Sequence, residues 1–210
     1  RQKQQDEMMK EFTKKISENL EDFNPKVQDK DKEELVRRLE ETEKQSEKNE
    51  KLLKELEELS KKLQKDELFN KADKLKQNAK NQKQNLEQLV ELTKLFYVEK
   101  KAEQIADKLN KLAEKQVKLA ENSKENTDKN QEEINKEFDA IQKDLQDLDK
   151  ENKDLKSPMD IPIDKNEQEE IIKDLDKSAE ELKKENQSKA KPKQISASAK
   201  MKEMSQKMAS

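Results

Sequence analysis

The chain has 210 residues, 29% apolar and 46% charged, with 47 basic against 50 acidic side chains and a net charge of −3. It contains no glycine, cysteine, histidine or tryptophan. The usual general base, thiol nucleophile and histidine or cysteine ligands for a transition metal are therefore missing, and the apolar share falls well short of the roughly 45–50% of a globular domain.

Lys, Glu, Leu, Ala and Arg make up more than half of the chain, a composition typical of long helices and coiled coils. Leu, Ile, Val and Phe are sparse enough to suggest disorder, but two features oppose that reading. The charges nearly cancel, and the apolar residues recur with a helical period. The expectation is an all-α fold: an elongated coiled coil or long helical hairpin with shorter C-terminal helices.

In chain order, residues 1–24 predict a short amphipathic helix carrying Met8, Met9, Phe12, Ile16, Leu20 and Phe23, ended near Asn24-Pro25. Residues 25–122 hold no further proline and no glycine, and predict one long helix. Leu52, Leu56, Leu59 and Leu63 repeat in a 4-3-4 rhythm, a heptad seam. The rhythm slips at Asp66-Glu67, which reads as a stutter. Glu57 with Lys61 and similar pairs four apart support the helix.

At Phe96-Tyr97-Val98 the apolar stripe widens. Leu92, Leu95, Phe96, Leu109, Leu112 and Leu119 form its centre, flanked by Val90, Val98, Ala102, Ile105, Ala106, Ala113, Val117 and Ala120. So broad a face predicts a core where more than two helices meet, with a returning helix packed on it. The alternative is a docking site for a partner's helix.

Residues 121–130, ENSKENTDKN, lack apolar side chains and predict a hinge or hairpin. Residues 123–156 then return as a coiled-coil helix through Ile134, Phe138, Ile141, Leu145, Leu148 and Leu155, with Asn152 as a polar seam position that sets register. The two prolines of residues 157–164 predict a loop. Asp164 with Glu167 resembles a capping box that starts a helix over 165–187, bearing Ile171, Ile172, Leu175 and Leu182. Residues 188–210 read as a basic linker broken at SKAKPKQ. A Met-rich helix follows through Ile195, Ala197, Ala199, Met201, Met204 and Met208.

No Gly-rich phosphate loop is present, and carboxylates lie on solvated faces beside lysines. Asp128 to Asp139 faintly resembles a calcium loop but lacks its glycine and final glutamate, and Ile134 fits a seam better. The expectation is no enzyme, cofactor or metal. Residues 183–202 hold seven lysines and one glutamate, while residues 164–181 hold eight acids and three lysines. The basic stretch is either a solvated linker beside an acidic helix or, through Lys189, Lys191 and Lys193, a contact for an anionic surface. No aromatic or arginine is interleaved there, so nucleic acid is not expected.

The words ELTKLFYVE, KLNKLAEKQVKLAE and KQISASAKMKEMSQKM, in that order around a Pro-broken loop, resemble a family of large membrane-anchored bacterial proteins of the Bacteroidetes type. That family is catalogued only as a domain of unknown function. The resemblance covers residues 80–210 well and 1–79 loosely. It implies a membrane anchor outside this fragment, a long helical body and an envelope location, and it supplies no catalytic residues to carry over.

Two functions compete from here. One is a structural tether or spacer acting through Leu52, Leu56, Leu59, Leu63, Phe96, Tyr97, Leu109, Leu112, Phe138 and Leu145, by self-association or with a protein partner. The other is a helical module that docks a partner or an anionic membrane.

Overall fold

The computed structural model describes residues 50–68 and 86–209. The short helix expected over 1–24 lies outside the described residues, as do residues 25–49 and 69–85 of the expected long helix. The described residues are all-α, with no strand: α1 (Glu50–Lys65), α2 (Leu86–Glu121), α3 (Asp128–Lys153), α4 (Lys165–Lys183) and α5 (Gln187–Ala209). They belong to two compact units, Arg1–Lys101 and Ala102–Ser210.

The long helix expected over 25–122 is interrupted. Where the heptad rhythm slips, α1 stops. Glu67 takes a left-handed conformation with φ 58°. Its N–H donates to the Gln64 carbonyl at 3.2 Å, and the Leu68 N–H reaches back to Leu63 at 3.0 Å. These two bonds define a Schellman stop, and Leu63 and Leu68 supply its buried apolar contact. A non-glycine residue in that conformation costs about 1–2 kcal/mol. Burying Leu68 contributes about 1.5–3 kcal/mol, so the stop is favourable even without glycine.

Within the first unit, α1 buries Leu53, Leu56, Leu59 and Leu63. The opening turns of α2 bury Leu89, Val90, Phe96, Tyr97 and Val98. Lys94 pairs with Glu55 at 4.0 Å and Lys101 with Asp66 at 3.6 Å, so partners climb both helices together and the two run in the same direction.

The second unit is a closed antiparallel four-helix bundle. On α2 and α3, Lys108 pairs with Asp144 and Lys115 with Glu137. On α3 and α4, Gln142 donates to Gln168 and Lys183 pairs with Glu132. On α4 and α5, Lys200 pairs with Asp174 and Lys207 with Glu167. Finally, Ser198 and Ser205 of α5 donate to the carbonyls of Ala113 and Ala106 on α2. In each pair the residue numbers run in opposite senses, and the fourth pair closes the ring. Helices α4 and α5, expected as appendages of a hairpin, are thus half of the bundle.

The connections follow from side-chain chemistry. Thr127 caps α3 by accepting from the Asn130 N–H, and Asp164 caps α4 by accepting from Asn166 and Glu167. Asn152, expected to set register across a seam, instead clamps the proline loop. It donates to the Met159 carbonyl at 2.7 Å and accepts from the Met159 N–H at 2.8 Å. The break expected at SKAKPKQ is absent, because Pro192 sits inside α5. The carbonyl it leaves unbonded belongs to Ser188, which is exposed and open to water, so the missing N–H is tolerated.

Candidate functional site

The residues singled out from the sequence fall into two sets. In the first unit, Leu56, Leu59 and Leu63 are buried, whereas Leu52 is only half-buried and Leu53 takes the inward position. Phe96 and Tyr97 are buried as well. The hydroxyl of Tyr97 donates to Asp66, and the Lys62 ammonium lies 5.1 Å from the centre of its ring. Through Tyr97 the aromatic knot therefore packs against the end of α1. Cation and carboxylate together anchor the one tyrosine of the chain.

In the second unit, Leu109, Leu112, Phe138 and Leu145 are all in the core, with Phe138 fully enclosed. Among the described residues Ile195 is the one large apolar side chain left exposed, at 38%. Lys189, Lys191 and Lys193 lie on the opening turns of α5 and are exposed. They are not set apart as a basic patch. Gln187 donates to the carbonyls of Ser123 and Asn126, which brings this end of α5 to the α2–α3 loop. Residues 117–133 and 180–195, which meet there, hold eight lysines and eight acids. The field of the three lysines is locally balanced.

A feature not read from the sequence lies just beneath. Gln131 of α3, Gln116 of α2, Gln194 of α5 and Asn126 of the loop are all buried. Gln116 and Gln131 exchange hydrogen bonds at 2.9 and 2.7 Å. Asn126 and Gln194 exchange another pair at 3.0 and 2.7 Å. Gln194 also donates to Gln131 at 2.8 Å, and Gln131 to Asn135 at 3.0 Å. The Gln131 amide thus spends both N–H groups and both lone pairs of its carbonyl. The sequence did hold a signal. Gln116 sits between Leu112 and Leu119, Gln131 three before Ile134 and Gln194 three before Ala197, each a polar residue at seam spacing.

Along α4, Asp174 is buried and accepts from Ser196 at 2.7 Å and from Lys200 at 3.0 Å. Ser178 donates to the Asp174 carbonyl. Near the end of α5, the Glu167 carboxylate hydrogen-bonded to Lys207 holds that ammonium above the ordinary lysine value near 10.5, against the opposing effect of desolvation. Ser60 is the one buried side chain among the described residues whose polar atom has no partner.

Among the described residues, no group of three or more acidic side chains is placed to hold a metal ion, and no helix is long and apolar enough to cross a membrane. The arrangement can bind helix to helix with defined register. No family model, no curated protein and no solved structure matches the chain.

Proposed function

We propose that the chain is a non-enzymatic structural segment, a helical tether or spacer within a larger membrane-anchored protein of the bacterial envelope. The observation that carries this reading is the self-sufficiency of the second unit. Its leucine and phenylalanine seam is enclosed, and its buried amides pair with one another across the α2–α3 loop and three helices. A bundle whose polar and apolar groups are satisfied internally keeps its shape without a ligand, as a spacer must. The envelope location rests on the family resemblance of residues 80–210.

The competing module reading needs an anionic surface to hold Lys189, Lys191 and Lys193, and the acids around them argue against it. Flotation of the whole chain with phosphatidylglycerol vesicles separates the two. The tether reading expects no flotation at low salt, and no change on replacing the three lysines by glutamine. Salt-sensitive flotation lost in the triple variant would overturn it in favour of membrane docking.

A further inference from the structure

We infer that a second copy of the chain is a partner for the bundle, by exchange of α5. The α4–α5 turn is the shortest connection in the second unit and the one under backbone strain. Glu185 holds φ 57° with its N–H on the Leu182 carbonyl, while the Asn186 N–H reaches back to Glu181. Residues 183–191, KKENQSKAK, contain neither glycine nor proline, so nothing in them prevents a helix. Returning Glu185 to helical φ joins α4 and α5 into one rod and swings α5 out of its groove.

The vacated groove is specific for what left it. It presents the Asn126 and Gln131 amides, the Ala113 and Ala106 carbonyls and the Asp174 carboxylate, at the spacing of Gln194, Ser198, Ser205, Ser196 and Lys200. A generic amphipathic helix would leave these groups unpaired. The α5 of another copy restores each of these bonds, so the swapped dimer keeps them and sheds the strained turn.

Three features hold the closed form. Asn186 caps α5 by accepting from the Lys189 N–H at 3.2 Å, and Gln187 ties the turn to Ser123 and Asn126. Association entropy also favours the monomer, so exchange rises with concentration.

Cysteines at positions 113 and 198 report the outcome, since the chain has none of its own. A closed monomer forms an intrachain disulfide from Ala113→Cys with Ser198→Cys, and a swapped dimer forms the same bond between chains. The full chain is unfolded, refolded at low and high concentration, oxidised and run without reductant. Covalent dimer is expected to increase with concentration. Asn186→Ala with Gln187→Ala should raise its share about tenfold, as loss of a cap implies. Glu185→Gly should lower it roughly five- to thirtyfold, because glycine accepts the left-handed turn and weakens the continuous helix. Intrachain disulfide alone in the loosened variant at every concentration overturns the inference. So does a dimer share that ignores the hinge sequence. Light scattering on the cysteine-free chain with the same hinge variants gives the same ordering if the engineered bond fails to form.

Discussion

Helices α3 and α5 occupy equivalent places in one bundle but hold to it by different means. Between Gln131 and Asn152 at its two ends, helix α3 buries Ile134, Phe138, Ile141, Leu145 and Leu148, a stripe of large side chains that needs only to be kept from water. Helix α5 buries Ala190, Gln194, Ala197, Ser198, Met201, Met204, Ser205 and Met208. Small residues bring its backbone close to α2, where two serine hydroxyls reach α2 carbonyls directly. The first face is strong and tolerant of position, and the second is weaker per residue but has one correct register. Large apolar stripes therefore supply cohesion in this bundle, and polar seam residues specify which helix sits where.

The largest test of that contrast is Phe138→Ala against Ile195→Ala. Phe138 is fully enclosed, so truncation leaves a cavity and should cost about 3–5 kcal/mol in urea unfolding. Ile195 is 38% exposed and its truncation should stay within about 0.5 kcal/mol. Equal losses would mean that α5 also relies on bulk apolar packing.

Gln194→Leu comes next. It keeps the size of the side chain and adds apolar surface, yet strands the Asn126 amide and one lone pair of Gln131. The expected loss is about 1–3 kcal/mol, with faster amide hydrogen exchange in α5 than in α3. A stabilised Gln194→Leu would show that the amide cluster contributes no register and that hydrophobic contact suffices.

The same contrast explains what could be read from the sequence. The α3 stripe was visible because Ile134, Phe138, Ile141 and Leu145 are large and repeat at 4-3-4 spacing. In α5 the apolar letters misled. Ile195 and Ala199 belong to the expected stripe and lie outside, while Gln194, Ser198 and Ser205 lie inside. Periodicity registers apolarity, and a face built on hydrogen bonds to backbone carbonyls has none to register. On α2 the expected centre is buried at Phe96, Leu109, Leu112 and Leu119, but Leu92 and Leu95 are only half-buried, while Val98 and Ile105 of the expected flank are enclosed. Helix ends were misjudged for a related reason. With no glycine to mark a left-handed stop, the slip at Asp66-Glu67 read as a stutter and not as the end of α1, and Glu185 carried no signal where α4 ends.

Those ends give a smaller test. Helix α3 opens on a side-chain cap, and Thr127→Ala should cost about 1 kcal/mol. Helix α5 follows a strained turn, and Glu185→Gly should raise stability by about 0.5–1 kcal/mol. Paired urea titrations moving in opposite directions would show that one helix start is optimised and the other is not. A destabilising Glu185→Gly would mean the turn is held by more than its backbone.

The smallest effect concerns the far end of α5. Lys207 hydrogen-bonds to Glu167 on α4 and lies 3.6 Å from Glu203 on its own helix. The Glu167 bond raises the pKa of Lys207 in the folded protein above its unfolded value. The folded state therefore binds this proton more tightly, and the pair supports the bundle at every pH below about the ordinary lysine value. That support is lost as pH rises through the folded pKa, where the ammonium becomes neutral. Lys207 is exposed and Glu167 half-buried, so salt and water screen the interaction. Lys207→Met should therefore lower stability slightly at neutral pH and match the parent in strong alkali. A difference that stayed constant across the alkaline limb would place the contribution of Lys207 in its aliphatic stem. Helix α5 would then gain from hydrophobic cover even at an ion pair, as α3 does along its central stripe.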